Sequence, residues 1–244
     1  MRSPVLACLL GLLAACDRPP AGPRTLAAPA PAAAPAPAAA SPPVSAPAPP
    51  PPPAPASAPA RMIVHLVPIG DVPPAMLEVA AQGLRARIPV EPMVAAAQPL
   101  PPAARLGRTA RYRAATILGW LEGLPLGGRG KVMGVTQVDI VTRKGPHPNW
   151  GVLGLGSLDG RTAVVSTFRM RRGWAGGGAP EPVVRDRLWK ITLHELGHTL
   201  GLDHCPTARC IMEDAHGTVR TTDAERDLCP VCAARFAAAL RQGS

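Results

Sequence analysis

The chain has 244 residues, enough for one or two domains, and a formal net charge of +10 at pH 7. Its basic residues are 23 arginines and only three lysines, a bias typical of GC-rich coding, so we interpret the excess charge as a solvated basic surface. Aromatic residues make up 3% of the chain, too few for a surface that stacks on bases, and we expect no nucleic-acid partner. No apolar run reaches the ~20 residues that a membrane-spanning helix needs.

The first residues resemble a bacterial lipoprotein signal. Arg2 is followed by an apolar core over residues 5–13, and residues 13–16 read Leu-Ala-Ala-Cys, which looks like a lipobox. In such signals the peptide is cleaved before the cysteine, and the cysteine carries the lipid. We therefore predict a signal peptide over residues 1–15, lipid on Cys16 and attachment to the membrane of a bacterial cell envelope. Asp17 favours retention in the inner membrane, and an ordinary secretory signal with a chance cysteine is the alternative.

A spacer follows the predicted anchor. Residues 18–60 contain 17 of the 33 prolines, and most of the others are alanine or serine. Such a segment buries too little apolar surface to offset its ordering entropy and favours extended polyproline II structure. We predict a disordered linker over residues 16–60, with Cys16 at its start, and one globular domain over residues 61–244.

The globular part alternates between strand and helix patterns. This order predicts an α/β layered domain. The β-branched and apolar runs predict strands over residues 62–67, 88–94, 132–141 and 162–168, with a glycine-rich edge strand over residues 152–156. Helical periodicity and a proline in the first turn predict helices over residues 73–87, 108–122 and 183–200.

The last of these helices carries a metal-binding pattern. His194 and His198 are four residues apart, one turn along one helix face, so both imidazoles can reach a single Zn²⁺. Glu195 lies about 100° round the helix, where it can accept a proton from a water bound to the zinc. Gly201 can end the helix in a left-handed conformation and return the chain, so that His204 supplies a third ligand. Three ligands leave one tetrahedral position open, as in catalytic zinc sites.

Four cysteines remain once Cys8 has left with the signal peptide and Cys16 is lipidated. Two close pairs, separated by 18 residues, have the spacing of a four-thiolate zinc site. Export favours two disulfides instead, and a nucleic-acid-binding zinc ribbon is a third reading, which export and the scarcity of aromatic residues oppose. The four residues are Cys205, Cys210, Cys229 and Cys232.

The whole pattern closely resembles the archaemetzincins, a family of the metzincin clan of zinc peptidases. The resemblance runs through the histidine motif and Glu195, then through Cys205 directly after the third histidine, Met212 and the other three cysteines. One departure is that 16 residues separate Met212 from Cys229, where the resemblance leads us to expect 17. His65, His147 and His216 match no ligand position of the family.

The resemblance implies a metzincin-like α/β domain with a twisted mixed sheet, an active-site helix and a compact C-terminal part held together by zinc. It implies two zinc ions per chain, one catalytic on the histidines and one structural on the cysteines, with Met212 beneath the catalytic metal. The implied activity is Glu-assisted hydrolysis of peptide bonds, aminopeptidase-like on short peptides that lie along residues 152–156. The alternative function is a catalytically weak, zinc-bound lipoprotein that binds peptides or regulates a partner.

Overall fold

The computed structural model describes residues 61–127, 130–173 and 176–242. The predicted signal peptide, Cys16 and the spacer lie outside these residues. No helix of the described segments combines the length and the apolar character that crossing a membrane requires.

Within these described segments, eight strands form two sheets. The larger sheet has the order β2-β1-β4-β8-β7, in which only β7 is antiparallel to its neighbour, and the smaller has the order β3-β5-β6. The strands are β1 (Met62–Ile69), β2 (Val90–Val94), β3 (Arg111–Arg113), β4 (Lys131–Thr136), β5 (Asp139–Lys144), β6 (His147–Gly151), β7 (Gly154–Gly156) and β8 (Thr162–Ser166).

Helices cover both faces of the larger sheet. They are α1 (Pro74–Arg85), α2 (Ala114–Glu122), α3 (Thr167–Met170), α4 (Glu181–Thr199), α5 (Val219–Ala224) and α6 (Pro230–Gln242). Along β1, Val64 and Leu66 belong to the core that includes α1 and α4, whereas Val67 and Ile69 belong to the core on α2. The period-two alternation of strand side chains thus fills two apolar layers, and the predicted α/β fold with a mixed sheet is confirmed.

The predicted helix over residues 108–122 is wrong in its first part. Arg111–Arg113 form β3 and pair in parallel with β5, and α2 begins only at Ala114. The Nε atom of Arg111 donates to the carboxylate of Asp139 at 2.9 Å, and Arg169 donates to both oxygens of that carboxylate at 2.7 and 3.0 Å. These contacts between residues distant in sequence stabilise a strand over residues 111–113, although the local periodicity there is helical.

Two predicted strands also have other bounds than expected, because one divides and the other ends at Ser166 instead of residue 168. The run over residues 132–141 divides at residues 137–138 into β4 and β5, which belong to different sheets. Ser166 acts at both places. Its hydroxyl donates to the carbonyl of Val138, between β4 and β5, at 2.6 Å. The same hydroxyl accepts from the amide of Phe168 at 3.2 Å, which caps α3 and ends the strand β8. The sequence patterns also missed strand β6 and helices α5 and α6.

Helix α4 packs against α1 through a glycine. A Cβ atom on Gly83 of α1 would overlap the Cβ of Trp189 and lie 3.2 Å from its Cγ. The two helices can therefore approach closely only because residue 83 has no side chain. This contact holds α4, which carries the histidine motif, against α1.

We predict that Gly83→Ala destabilises the domain by about 1–3 kcal/mol, because the added methyl group has no space. The matched control is Gly119→Ala in α2, where a Cβ would meet nothing within 4 Å. That change should stabilise the domain by about 0.5–1 kcal/mol through helix propensity alone. Urea denaturation of both variants measures the two effects, and equal stabilisation by both would contradict the close packing of α1 on α4.

Candidate metal centre

The three histidines of the motif converge at the end of α4. His194 and His198 lie one turn apart on the same face of this helix. The helix ends at Thr199, and Gly201 adopts a φ of +80°, a left-handed conformation that reverses the chain direction. The reversal returns His204, and one ring nitrogen from each histidine lies within 4.8 Å of the others.

Backbone carbonyls fix the orientation of two of the rings. Nδ1 of His194 lies 2.6 Å from the carbonyl oxygen of Ile211, and Nδ1 of His198 lies 2.8 Å from that of Leu202. Because a carbonyl only accepts, both Nδ1 atoms carry a hydrogen, and the Nε2 atoms of the neutral rings carry lone pairs. Those two Nε2 atoms are 3.0 Å apart. A cation between them would remove the repulsion of the lone pairs, and the separation is compatible with two nitrogens at ~2.0–2.1 Å from one Zn²⁺.

The surroundings keep these imidazoles neutral. Burial lowers the pKa of His194 to about 3 and also lowers the pKa of His198, and the neighbouring imidazoles act in the same direction. The hydrogen bonds to the two carbonyls oppose the shift without reversing it. A neutral ring is the form that binds a metal ion, so the residues present fit zinc.

Glu195 is a buried carboxyl group in the same cleft as the histidines, with 5% of its surface exposed. Strand β7 lies directly against it: a Cβ on Gly154 would overlap its carboxyl group, and a Cβ on Gly156 would lie 2.6 Å from its carbonyl oxygen. Burial raises the pKa of Glu195 to about 8, and a hydrogen bond from the amide of Gly156 opposes this rise. A carboxyl group shifted toward neutral pH next to a metal site is suited to proton transfer.

Met212 lies beneath the histidine helix and is fully buried. A Cβ atom on Gly197 of α4 would be 2.5 Å from the Met212 sulfur and 2.9 Å from the ring of Phe236. The carbonyl of Met212 accepts from the amide of Cys205 at 2.7 Å. Met212 therefore lies in a turn that contacts α4 on one side and the segment after His204 on the other.

The four C-terminal cysteines form a second cluster. Their sulfur atoms all lie within 4.8 Å of one another, those of Cys205 and Cys229 are 3.8 Å apart, and all four are free thiols. Hydrogen bonds, chiefly from the amide of Cys232, lower the pKa of Cys229 to about 6, whereas burial raises the pKa of Cys210 and of Cys232. Four convergent thiols are the donor set of a structural zinc site, and the alternative arrangement of two disulfides is not formed among these residues.

A cleft of about 420 Å³ opens in front of the histidines and Glu195. Strand β7 lines it, within the segment where the sequence predicts an edge strand. Trp150, Lys144 and Asp214 also line the cleft. They were not predicted, because no pattern of spacing in the sequence links them to the histidine motif. His65 and His147 lie outside the cluster, on β1 and β6, and Nδ1 of His216 lies 3.1 Å from the carboxylate of Asp214.

The chain matches known proteins over this part of the fold. A family model described as peptidase family M54 matches residues 111–237. The archaemetzincin of Halobacterium salinarum is 38% identical over 175 residues, which are 70% of this chain and 97% of that protein. The archaemetzincin of Haloquadratum walsbyi is 34% identical with the same coverage of both chains.

Solved structures agree with these relatives. The archaemetzincin of Archaeoglobus fulgidus, determined as a complex with malonate, has a TM-score of 0.59 and 28% identity, covering 71% of this chain and 99% of that one. The archaemetzincin of Methanopyrus kandleri has a TM-score of 0.62 and 27% identity, covering 74% of this chain and 96% of that one. The chain therefore belongs to peptidase family M54, the archaemetzincin family of zinc metallopeptidases.

Proposed function

We propose that this protein hydrolyses peptide bonds with a zinc ion held by His194, His198 and His204, and with Glu195 as the general base. The observation that carries the proposal is the meeting of these groups in one cleft, where two Nε2 atoms 3.0 Å apart adjoin a buried carboxyl group. Three protein ligands are the number typical of catalytic zinc, which keeps one position for water or substrate.

Glu195 performs the proton transfers of the proposed reaction. A zinc ion on the three histidines would polarise a peptide carbonyl and increase the acidity of a water molecule. Glu195 accepts a proton from the water as it attacks and then delivers that proton to the nitrogen of the departing amine. Burial raises the carboxyl pKa to about 8, and a zinc ion on the histidines would lower that pKa, because a nearby positive charge favours the proton-accepting carboxylate form.

We further propose that the peptide lies extended along β7. This strand pairs with β8 on one side only, and in the described part of the chain no strand pairs with its other side. A peptide that adds to this edge through main-chain hydrogen bonds passes Glu195, which lies directly against Gly154 and Gly156. Aminopeptidase-like cleavage of short peptides follows from the family resemblance.

The alternative, a catalytically weak protein that only binds peptides, is less well supported. Such a protein has no use for a general base beside the metal. Glu195 is present, and the two glycines of β7, Gly154 and Gly156, leave the space that its buried carboxyl group and backbone occupy. The cleft is therefore built around this carboxyl group.

We predict that Glu195→Gln abolishes peptide hydrolysis and leaves the zinc content unchanged, because the side chain is a base and not a ligand. Peptide digestion followed by mass spectrometry measures the activity, and metal analysis measures the zinc. Glu91→Gln, at an exposed position of β2, is the matched control and should retain full activity. Turnover by a clean preparation of Glu195→Gln would contradict the general-base role.

The cysteine cluster supports the proposal of a second, structural zinc ion. Cys205 follows His204 directly, and Cys229 begins the segment that leads into α6. The amide of Cys229 also donates to the sulfur of Cys210 at 3.3 Å. A zinc ion on the four sulfurs would join the loop after the third histidine to the C-terminal helix and fix the direction from which His204 approaches.

We predict two zinc ions per chain and four thiols that become titratable only after chelation. Cys229→Ser should lose one zinc and weaken the binding of the other by about 10–100-fold, because His204 loses its support. Metal analysis, thiol titration before and after chelation, and chelator competition measure these quantities. One zinc with no free thiols would show that two disulfides replace the second metal site.

For localisation we propose an exported, lipid-anchored protein of the bacterial cell envelope, with Asp17 favouring the inner membrane. We predict that Cys16→Ser moves the protein from the membrane to a soluble exported fraction, because the proposed lipid on Cys16 would anchor it. Cys8→Ser, which changes the cleaved signal alone, is the matched control and should stay with the membrane. Sedimentation of Cys16→Ser with membranes would assign the attachment to another contact, such as the basic surface.

A further inference from the structure

Strand β5 ends at the metal cleft with two consecutive basic residues, Arg143 and Lys144, and both line the cleft. The pairing of β5 with β6 shifts register between Thr142 and Lys144, where a β-bulge interrupts the ladder. Bulges bend the strands and reorient side chains, and they are common next to active sites. The smaller sheet thus delivers two cationic side chains to the cleft that holds the histidines.

The charge of Lys144 is already engaged by the protein. Its Nζ atom lies 3.7 Å from Oδ2 of Asp214 and 5.9 Å from the centre of the Trp150 ring. The same Asp214 oxygen lies 4.0 Å from Nδ1 of His204, the third histidine of the cluster. A single carboxylate therefore separates the end of β5 from the proposed zinc ligands, which places the basic residues beside the reacting centre.

Arg143 differs from its neighbour because its side chain is exposed in the cleft and its guanidinium has no hydrogen-bond or ion-pair partner within the described residues. Other arginines of the fold are engaged: Arg169 binds Asp139, and Arg187 binds both oxygens of Asp223 at 2.6 Å. A guanidinium group presents donors in a planar fork that matches a carboxylate, and such paired bonds are stronger than neutral ones. An unpaired arginine in a substrate cleft is thus a ready receptor for a carboxylate.

Within the described residues, no acidic residue that lines the cleft pairs with Arg143, so its guanidinium is available to a substrate carboxylate. The acids that line it are Glu195, Asp203 and Asp214. Glu195 is buried, and Asp214 is shared among Lys144 and two histidines. Asp203 follows Leu202, whose carbonyl holds His198, and it forms no ion pair with Arg143 in the described part of the chain.

We propose that Arg143 binds a carboxylate of the peptide substrate and so determines specificity. The carboxylate is either the C-terminal group of a short peptide or an aspartate or glutamate side chain near the scissile bond. This inference rests on the proposed peptidase function, since it names the class of substrate that the same cleft prefers. A formal net charge of +10 on the chain would also favour the approach of an acidic peptide.

The test uses the mature, zinc-loaded chain and a set of peptides of one length. Glutamate or glutamine is placed at each position in turn, and each peptide has either a free or an amidated C-terminus. We expect kcat/KM to be about tenfold or more higher for a peptide that carries the preferred carboxylate, and Arg143→Gln should remove that ratio. Arg108→Gln, an exposed arginine outside the cleft, should keep it. If kcat/KM depends on glutamate, the bound group is a side-chain carboxylate. If kcat/KM depends on the free C-terminus, the bound group is the C-terminal carboxylate.

Binding separates this inference from the proposed function. The same peptides are titrated into the Glu195→Gln protein, with and without the Arg143→Gln change, and Kd is measured by calorimetry. One outcome is that the unchanged, zinc-loaded protein cleaves none of the peptides while the charged peptides still bind about tenfold more tightly when Arg143 is present. In that case the proposed peptidase activity fails and the carboxylate site stands. Equal Kd and equal kcat/KM for charged and uncharged peptides, or a preference that survives Arg143→Gln, would overturn the inference.

Discussion

Two hydrogen bonds from imidazole to backbone carbonyl hold the candidate site together. His194 is fixed by the carbonyl of Ile211 at 2.6 Å and His198 by that of Leu202 at 2.8 Å. The first bond joins α4 to the turn that contains Met212, and the second joins α4 to the chain reversal after Gly201. These bonds leave both Nε2 atoms as acceptors, so the backbone conformation of two loops decides the chemical form of two side chains on a helix.

Close packing around glycine gives the site its compactness. Gly83 lets α1 approach α4, Gly197 leaves room for Met212, and Gly154 and Gly156 let the sheet edge approach Glu195. A carboxyl group enclosed in this way loses its hydration, which is why its pKa rises. The C-terminal part adds a second tie, because the amide of Ile211 donates to the carbonyl of Asp227 at 3.1 Å, next to the cysteine cluster.

Much of the fold could be predicted from local patterns. The strands β1, β2 and β8 and the helices α1 and α4 follow from apolar runs, proline at helix starts and glycine after helix ends, all of which act within a few residues. The prediction was wrong where a contact distant in sequence decides. Arg111 belongs to a strand because it binds Asp139, and residues 132–141 divide because Ser166 bonds to the carbonyl of Val138.

The sequence by itself determined the proposed metal ligands and the acid beside them, because His194, Glu195, His198 and His204 are linked by helix periodicity and one glycine turn. Only the tertiary structure decided how those residues are surrounded. Lys144 ends strand β5 and Asp214 lies in a loop 70 residues later, yet they meet beside His204. Such contacts depend on the register of the strands and on the bulge between β5 and β6. Because residues paired in this way are far apart in the chain, no regular spacing in the sequence reveals them.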